Sequence, residues 1–166
     1  RFRHATPEEL LDTQGPRIKI AKVQLSTFVP GDGLEGVPGF RLKKDAAAFK
    51  NLADLPTIDI PFGLDLNGVN INDEQLRAIA RQSSLTHLSL DSSLIGKVGI
   101  RSLIGMKNLE SLELNCTELG DDEIKELATM TNLRRLCLYG KITNSGLQEL
   151  THLKRLTALS LFANGV

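Results

Sequence analysis

A six-residue phrase recurs along this chain. LTHLSL begins at Leu85, LESLEL at Leu109, LRRLCL at Leu133 and LTALSL at Leu156. The first three starts are 24 residues apart and the last step is 23. A fixed period of this length specifies a solenoid, in which each unit touches only its neighbours, rather than a globule around one central core. Leucine fills the first, fourth and sixth places of every phrase. The step of two between the fourth and sixth places puts both side chains on one face of a strand. Behind each phrase the apolar steps lengthen to three, as in Ile124, Leu127 and Met130, which fits one face of a short helix. Each unit therefore reads as strand, turn, helix, turn. Its apolar edge is buried only when units stack.

The same ruler runs backwards. A start at Pro61 places Leu64, Leu66, Ile71, Leu76 and Ile79 one period before Leu88, Leu90, Ile95, Ile100 and Leu103. One further step reaches Val37, Phe40 and Leu42, in a unit that is degenerate but phased. Leu55, Ile58 and Ile60 offer a competing strand frame; the Pro61 frame is preferred because its helix positions agree as well. The repeats are thus 37–60 (degenerate), 61–84, 85–108, 109–132, 133–155 and 156–166 (incomplete). Strands are expected near 64–66, 88–90, 112–114, 136–138 and 159–161, and helices over 73–81, 97–105, 121–130 and 144–152.

These residues resemble the leucine-rich repeat family. The tails NCTELGDDEIKELATMTNL and GKITNSGLQELTHLKRL look most like its bacterial threonine-turn subclass, and the cysteine-containing subclass is a near relative. The resemblance implies an α/β fold: a right-handed solenoid with a parallel concave sheet and helices on the convex side. It also implies protein–protein interaction in general. The usual Asn or Cys at the ninth repeat position is replaced by Val69, Ser93 and Thr117, so a full asparagine ladder is not expected there.

Residues 1–36 read differently. Thr6-Pro7-Glu8-Glu9 is a helix start, with a capping threonine and a proline suited to the first helical position. Ile18, Ile20, Val23 and Leu25 suggest a strand, and Gly31 to Gly39 a loop. The segment is expected to be a cap over the first repeat, as solenoids require; the alternative is the remnant of an upstream domain. Within the repeats, Asn72 and Thr143 are expected N-caps, and Asn72 with Gln75 approximates a capping box. Asp121, Asp122 and Glu123 fall in a first helical turn, where the dipole favours them structurally.

Composition narrows the function classes. The 166 residues carry 20 basic and 20 acidic side chains, divided 11 and 11 before residue 85 and 9 and 9 after it. This balance gives no global case for nucleic acid or an anionic membrane. No apolar run approaches the roughly 18–20 residues of a bilayer span. Cys116 and Cys137 are expected as free thiols, because an offset of three residues on adjacent strands adds about 10 Å, beyond disulfide reach. A reducing, cytoplasmic compartment is favoured on that ground. The chain begins at Arg1 rather than methionine, and its last unit stops after the strand. It is therefore expected to be a piece of a longer protein that continues past Val166. Its open end is expected to fray or self-associate.

Function is expected on the third, fifth and seventh strand positions, which point away from the buried leucines. The third row is Gly63, His87, Ser111, Arg135 and Ala158; the fifth is Asp65, Ser89, Glu113, Cys137 and Ser160; the seventh is Asn67, Asp91, Asn115, Tyr139 and Phe162. Asp65, His87, Asp91, Glu113, Asn115, Arg135, Tyr139 and Phe162 are the expected partner-binding residues. Arginine beside aromatics is the composition of interface hot spots. Chemistry has little support. His87 and Ser89 stand about 6–7 Å apart on one strand, with no nucleophile elbow. His87 flanked by Asp65 and Glu113 makes a poor metal cage on an open sheet, and neither His4 nor His152 joins it. No cofactor is expected. The sequence reads as a non-enzymatic module binding a protein or peptide on the concave face; the alternative is the substrate-recognition part of a larger enzyme, such as an F-box-type ubiquitin ligase or a bacterial effector.

Overall fold

The repeat ruler becomes a sheet register. The computed structural model describes residues 23–27, 37–42, 59–91, 95–115 and 119–163. In it Phe40, Leu64, Leu88, Leu112, Leu136 and Leu159 are paired across consecutive parallel strands. Among the described residues seven strands follow chain order: β1 (Val23–Thr27), β2 (Pro38–Leu42), β3 (Phe62–Leu66), β4 (Leu85–Asp91), β5 (Ser111–Asn115), β6 (Arg135–Gly140) and β7 (Ala158–Ala163). From β2 to β7 every pairing is parallel, whereas β1 pairs antiparallel with β2. Four described α-helices alternate with the later strands: α1 (Asp73–Ile79), α2 (Lys97–Leu103), α3 (Asp121–Leu127) and α4 (Asn144–Glu149), the last followed by a 3-10 turn over Leu150–His152. Two sequence expectations shift. The loop expected to run to Gly39 gives way to strand at Pro38, and each α-helix ends two or three residues before its expected end, the last continuing as the 3-10 turn to His152. The helix start at Thr6 and the competing strand residues Leu55 and Ile58 lie outside the described residues.

The core is one continuous apolar stack. Leu64, Leu88, Leu112 and Leu136 from the fourth places join Leu66, Leu90, Leu114 and Leu138 from the sixth, with Ile79, Leu103 and Leu127 from the helices. On β5 and β6 burial alternates along the strand, as one packed face requires. At β7 the series changes: Leu159 is 44% exposed where its in-register neighbours are buried.

Polar groups tie the units together where the apolar stack cannot. Asn108 Nδ2 donates to the Ser83 carbonyl at 2.9 Å, and Asn132 Nδ2 to the Lys107 carbonyl at 2.6 Å. These asparagines satisfy the closing turn one unit back, so the chain has short asparagine bridges away from the ninth position. Val69, which occupies that ninth position, is buried instead, and its N–H closes a turn onto the Leu66 carbonyl. The other two ninth-position residues, Ser93 and Thr117, lie outside the described residues.

Helix starts are capped in two alternating ways. Asn72 accepts from Gln75 N at 2.9 Å while Gln75 Oε1 accepts from Asn72 N, the full capping box. In α3, Glu123 reaches back to Gly120 N at 3.0 Å. The other two helices borrow a carboxylate from the unit before. Asp73 Oδ1 accepts from Gly96 N at 2.7 Å, and Asp121 accepts from Thr143 N at 2.8 Å and Thr143 Oγ1 at 2.6 Å. The Thr143 bonds hold the Asp121 carboxyl below its ordinary value. The borrowed carboxylates fit because α2 and α4 have glycine in the first turn: a Cβ on Gly99 or Gly146 would meet the aspartate oxygen at 2.5 Å. Between α2 and α3 the link is different. Lys97 pairs with Glu123 at 3.1 Å, and Arg101 with Glu126 at 2.8 Å. The acidic cluster of α3 is thus used in caps and bridges.

Candidate functional site

Strand alternation sends the third, fifth and seventh rows to the sheet face opposite the leucines, and the register aligns them as expected. His87, Ser111 and Arg135 pair across β4, β5 and β6, as do Ser89, Glu113 and Cys137. Asp91, Asn115, Tyr139 and Phe162 form an unbroken row over the last four strands.

Exposure does not follow the expectation over the first strands. Asp65 is 5% exposed, His87 4% and Ser89 8%, although all three belong to rows expected to be open. β3 is buried on both faces. Gly39 and Gly63 precede His87 in the third row, and a Cβ on Gly63 would come within 3.3 Å of His87 Cβ. Sequence reasoning located the face and missed its covered part, on which strand alternation carries no signal.

The buried polar groups have defined partners. Thr86, which the ladder skips where the register slips between Phe62 and Gly63, donates its hydroxyl to the Phe62 carbonyl at 3.0 Å. At its 2.7 Å contact with His87 Nδ1 the hydroxyl therefore accepts, which places the ring proton on Nδ1. Asp65 Oδ1 accepts from Asn67 N at 3.0 Å. Asn67 Nδ2 donates to Ser89 Oγ at 2.7 Å, and Ser89 Oγ donates to Glu113 Oε2 at 2.6 Å. This chain crosses three strands and fixes Glu113 at the edge of the open region.

Burial holds the His87 imidazole below its ordinary 6.5. The unfolded chain therefore takes up this proton first as pH falls. The contribution of the neutral ring is fully present above 6.5, declines from there downward, and levels off below the folded value, with a slope of at most about 1.4 kcal/mol per pH unit. Chemical unfolding of the wild type between pH 7 and 5 should show this decline, and His87→Gln should lack it. Asp121 and Glu126 are held below their ordinary values, so their losses begin at lower pH. Parallel pH slopes in the two proteins would mean that the ring is solvated.

The open region begins at Asp91 and Glu113 and ends at Phe162. Tyr139 and Phe162 stack with centroids 4.3 Å apart and planes 8° from parallel, and Phe162 is 53% exposed. Burial pushes the Tyr139 phenol up, and Cys137, Glu113 and Asp91 lie close enough to add to it. Burial likewise pushes up the Cys137 thiol, which bonds the Tyr139 hydroxyl. Cys137 is a free thiol, whereas Cys116 lies outside the described residues. Among the described residues no group of three or more His, Cys, Asp or Glu side chains is placed to hold a metal ion, and no helix is long and apolar enough to cross a membrane.

No protein-family model matches the chain, and no curated protein matches it. Among solved structures, an internalin from Listeria monocytogenes is similar at 18% identity with a TM-score of 0.40; the match covers 73% of this chain and 38% of that one. The chain therefore spans well under half the length of that structure.

Proposed function

We propose that this chain is a protein-recognition module that binds a protein or peptide on the outer, concave face of its sheet without catalysing a reaction. The regular strand–helix repeat, of leucine-rich-repeat type, supplies a rigid parallel platform. The observation that carries the reading is the stacked Tyr139–Phe162 pair on the open part of that face, with Asn115 and Asp91 along its row, Glu113 on the neighbouring strand and Arg135 farther along its own. Phe162 is exposed although it stacks on the half-buried Tyr139, and aromatic residues left open on a surface are common anchors of an interface. Asp65 and His87, expected among the contact residues, are buried, so the proposed surface is the six remaining positions. Parallel capture experiments test it. Tyr139→Ala and Arg135→Ala should each weaken a retained partner by about 1 kcal/mol or more, while Lys125→Ala on the helix side leaves it bound. Loss through Lys125 with retention through Tyr139 and Arg135 reverses the assignment.

A further inference from the structure

The stack with Phe162 takes one face of the half-buried Tyr139 ring. Its partner ring belongs to the strand after it, at 4.3 Å, close to the spacing between strands. The second face therefore looks back along the row toward Asn115 on β5 and Asp91 on β4. A group standing over Asn115 lies one strand spacing, about 4.8 Å, from the Tyr139 ring and the same distance from Asp91. Glu113 stands two residues earlier on the strand of Asn115 and on the same face, and Ser89 of β4 holds its Oε2. The position over Asn115 thus has an aromatic ring on one neighbouring strand, a carboxylate on the other and a second carboxylate two residues away on its own strand. Arg135, four residues before Tyr139 on β6, is about 13 Å away along its strand.

Resting on the recognition reading above, we propose that this position receives an arginine side chain of the partner, its guanidinium flat on Tyr139 and hydrogen-bonded to Glu113, with Asp91 balancing its charge. A planar cation suits a ring face, and its edge N–H groups suit a neighbouring carboxylate; an ammonium group uses only part of this arrangement. The occupant is therefore a peptide segment with an exposed arginine.

The test is an NMR titration of the full chain with the pentapeptide Gly-Gly-Arg-Gly-Gly, beside versions carrying lysine or the neutral isostere citrulline. The arginine peptide should shift the Asn115 side-chain amide and the Tyr139 ring in a saturable way. The lysine peptide should bind at least threefold more weakly and the citrulline peptide at least tenfold. Tyr139→Leu and Glu113→Gln should each weaken the arginine peptide fivefold or more, and Lys125→Ala should not. Equal binding of the citrulline peptide at these residues overturns the arginine assignment and leaves the recognition face standing. Shifts confined to the helix side overturn both readings. No shift with the arginine peptide overturns this proposal alone, since the capture experiment with Tyr139→Ala tests the face independently.

Discussion

Leu112→Ala lowers the free energy of unfolding by about 2–5 kcal/mol, the range for truncating a fully enclosed leucine. Leu112 is on the middle strand of the described repeats, 1% exposed, in register between Leu88 and Leu136. Its loss opens a cavity that the flanking leucines are too tightly held to fill. The position also multiplies the effect. In a solenoid each unit is supported only by its neighbours, so a defect in the middle weakens the stack on both sides. Asp91→Ala, one strand back on the opposite face and exposed, should change stability by less than about 0.5 kcal/mol. Urea unfolding of both variants checks the pair. Equal destabilisation would invert the two faces of the sheet.

Gly140→Ala comes next, at about 1–3 kcal/mol of destabilisation. A Cβ at this position would lie 2.6 Å from the Leu119 carbonyl oxygen and 2.8 Å from Leu119 Cβ. Both atoms are held. Leu119 is buried, and its carbonyl accepts from Lys141 N at 2.9 Å, the residue next to the new methyl group. No side-chain rotation relieves the overlap, so the strand end must move away from the preceding turn. Gly105→Ala is the matched control, because nothing lies within 4 Å of its Cβ position. Thermal unfolding should separate the two. A neutral Gly140→Ala would show that this turn yields at no cost.

Much of the fold was legible because leucine spacing and strand pairing measure the same length. The 24-residue step from Phe40 to Leu64 and onward is both a sequence interval and a hydrogen-bonded register. Caps were legible where they are local, as at Asn72 and Thr143. They were hidden where the carboxylate comes from another unit: Gly96 has no capping side chain, and only the structure brings Asp73 to it. The candidate site was legible at its open end, where Tyr139 and Phe162 share a row. Its closed end was not. Alternation states which way Asp65, His87 and Ser89 point, and says nothing of whether that side is covered.

The alternating helix starts give the array a parity. Asp73 requires the glycine of α2, and Asp121 that of α4; α3 instead carries Glu123 at the equivalent place. Deleting the single unit 85–108 would set Asp73 against a helix with a side chain where its carboxylate must lie. Deleting 85–132 would return Asp73 to a threonine cap and a glycine. By this pattern the exchangeable step of the described array is a pair of units. Its length can change by evens, while an odd change breaks the match at a junction whose leucines are otherwise interchangeable.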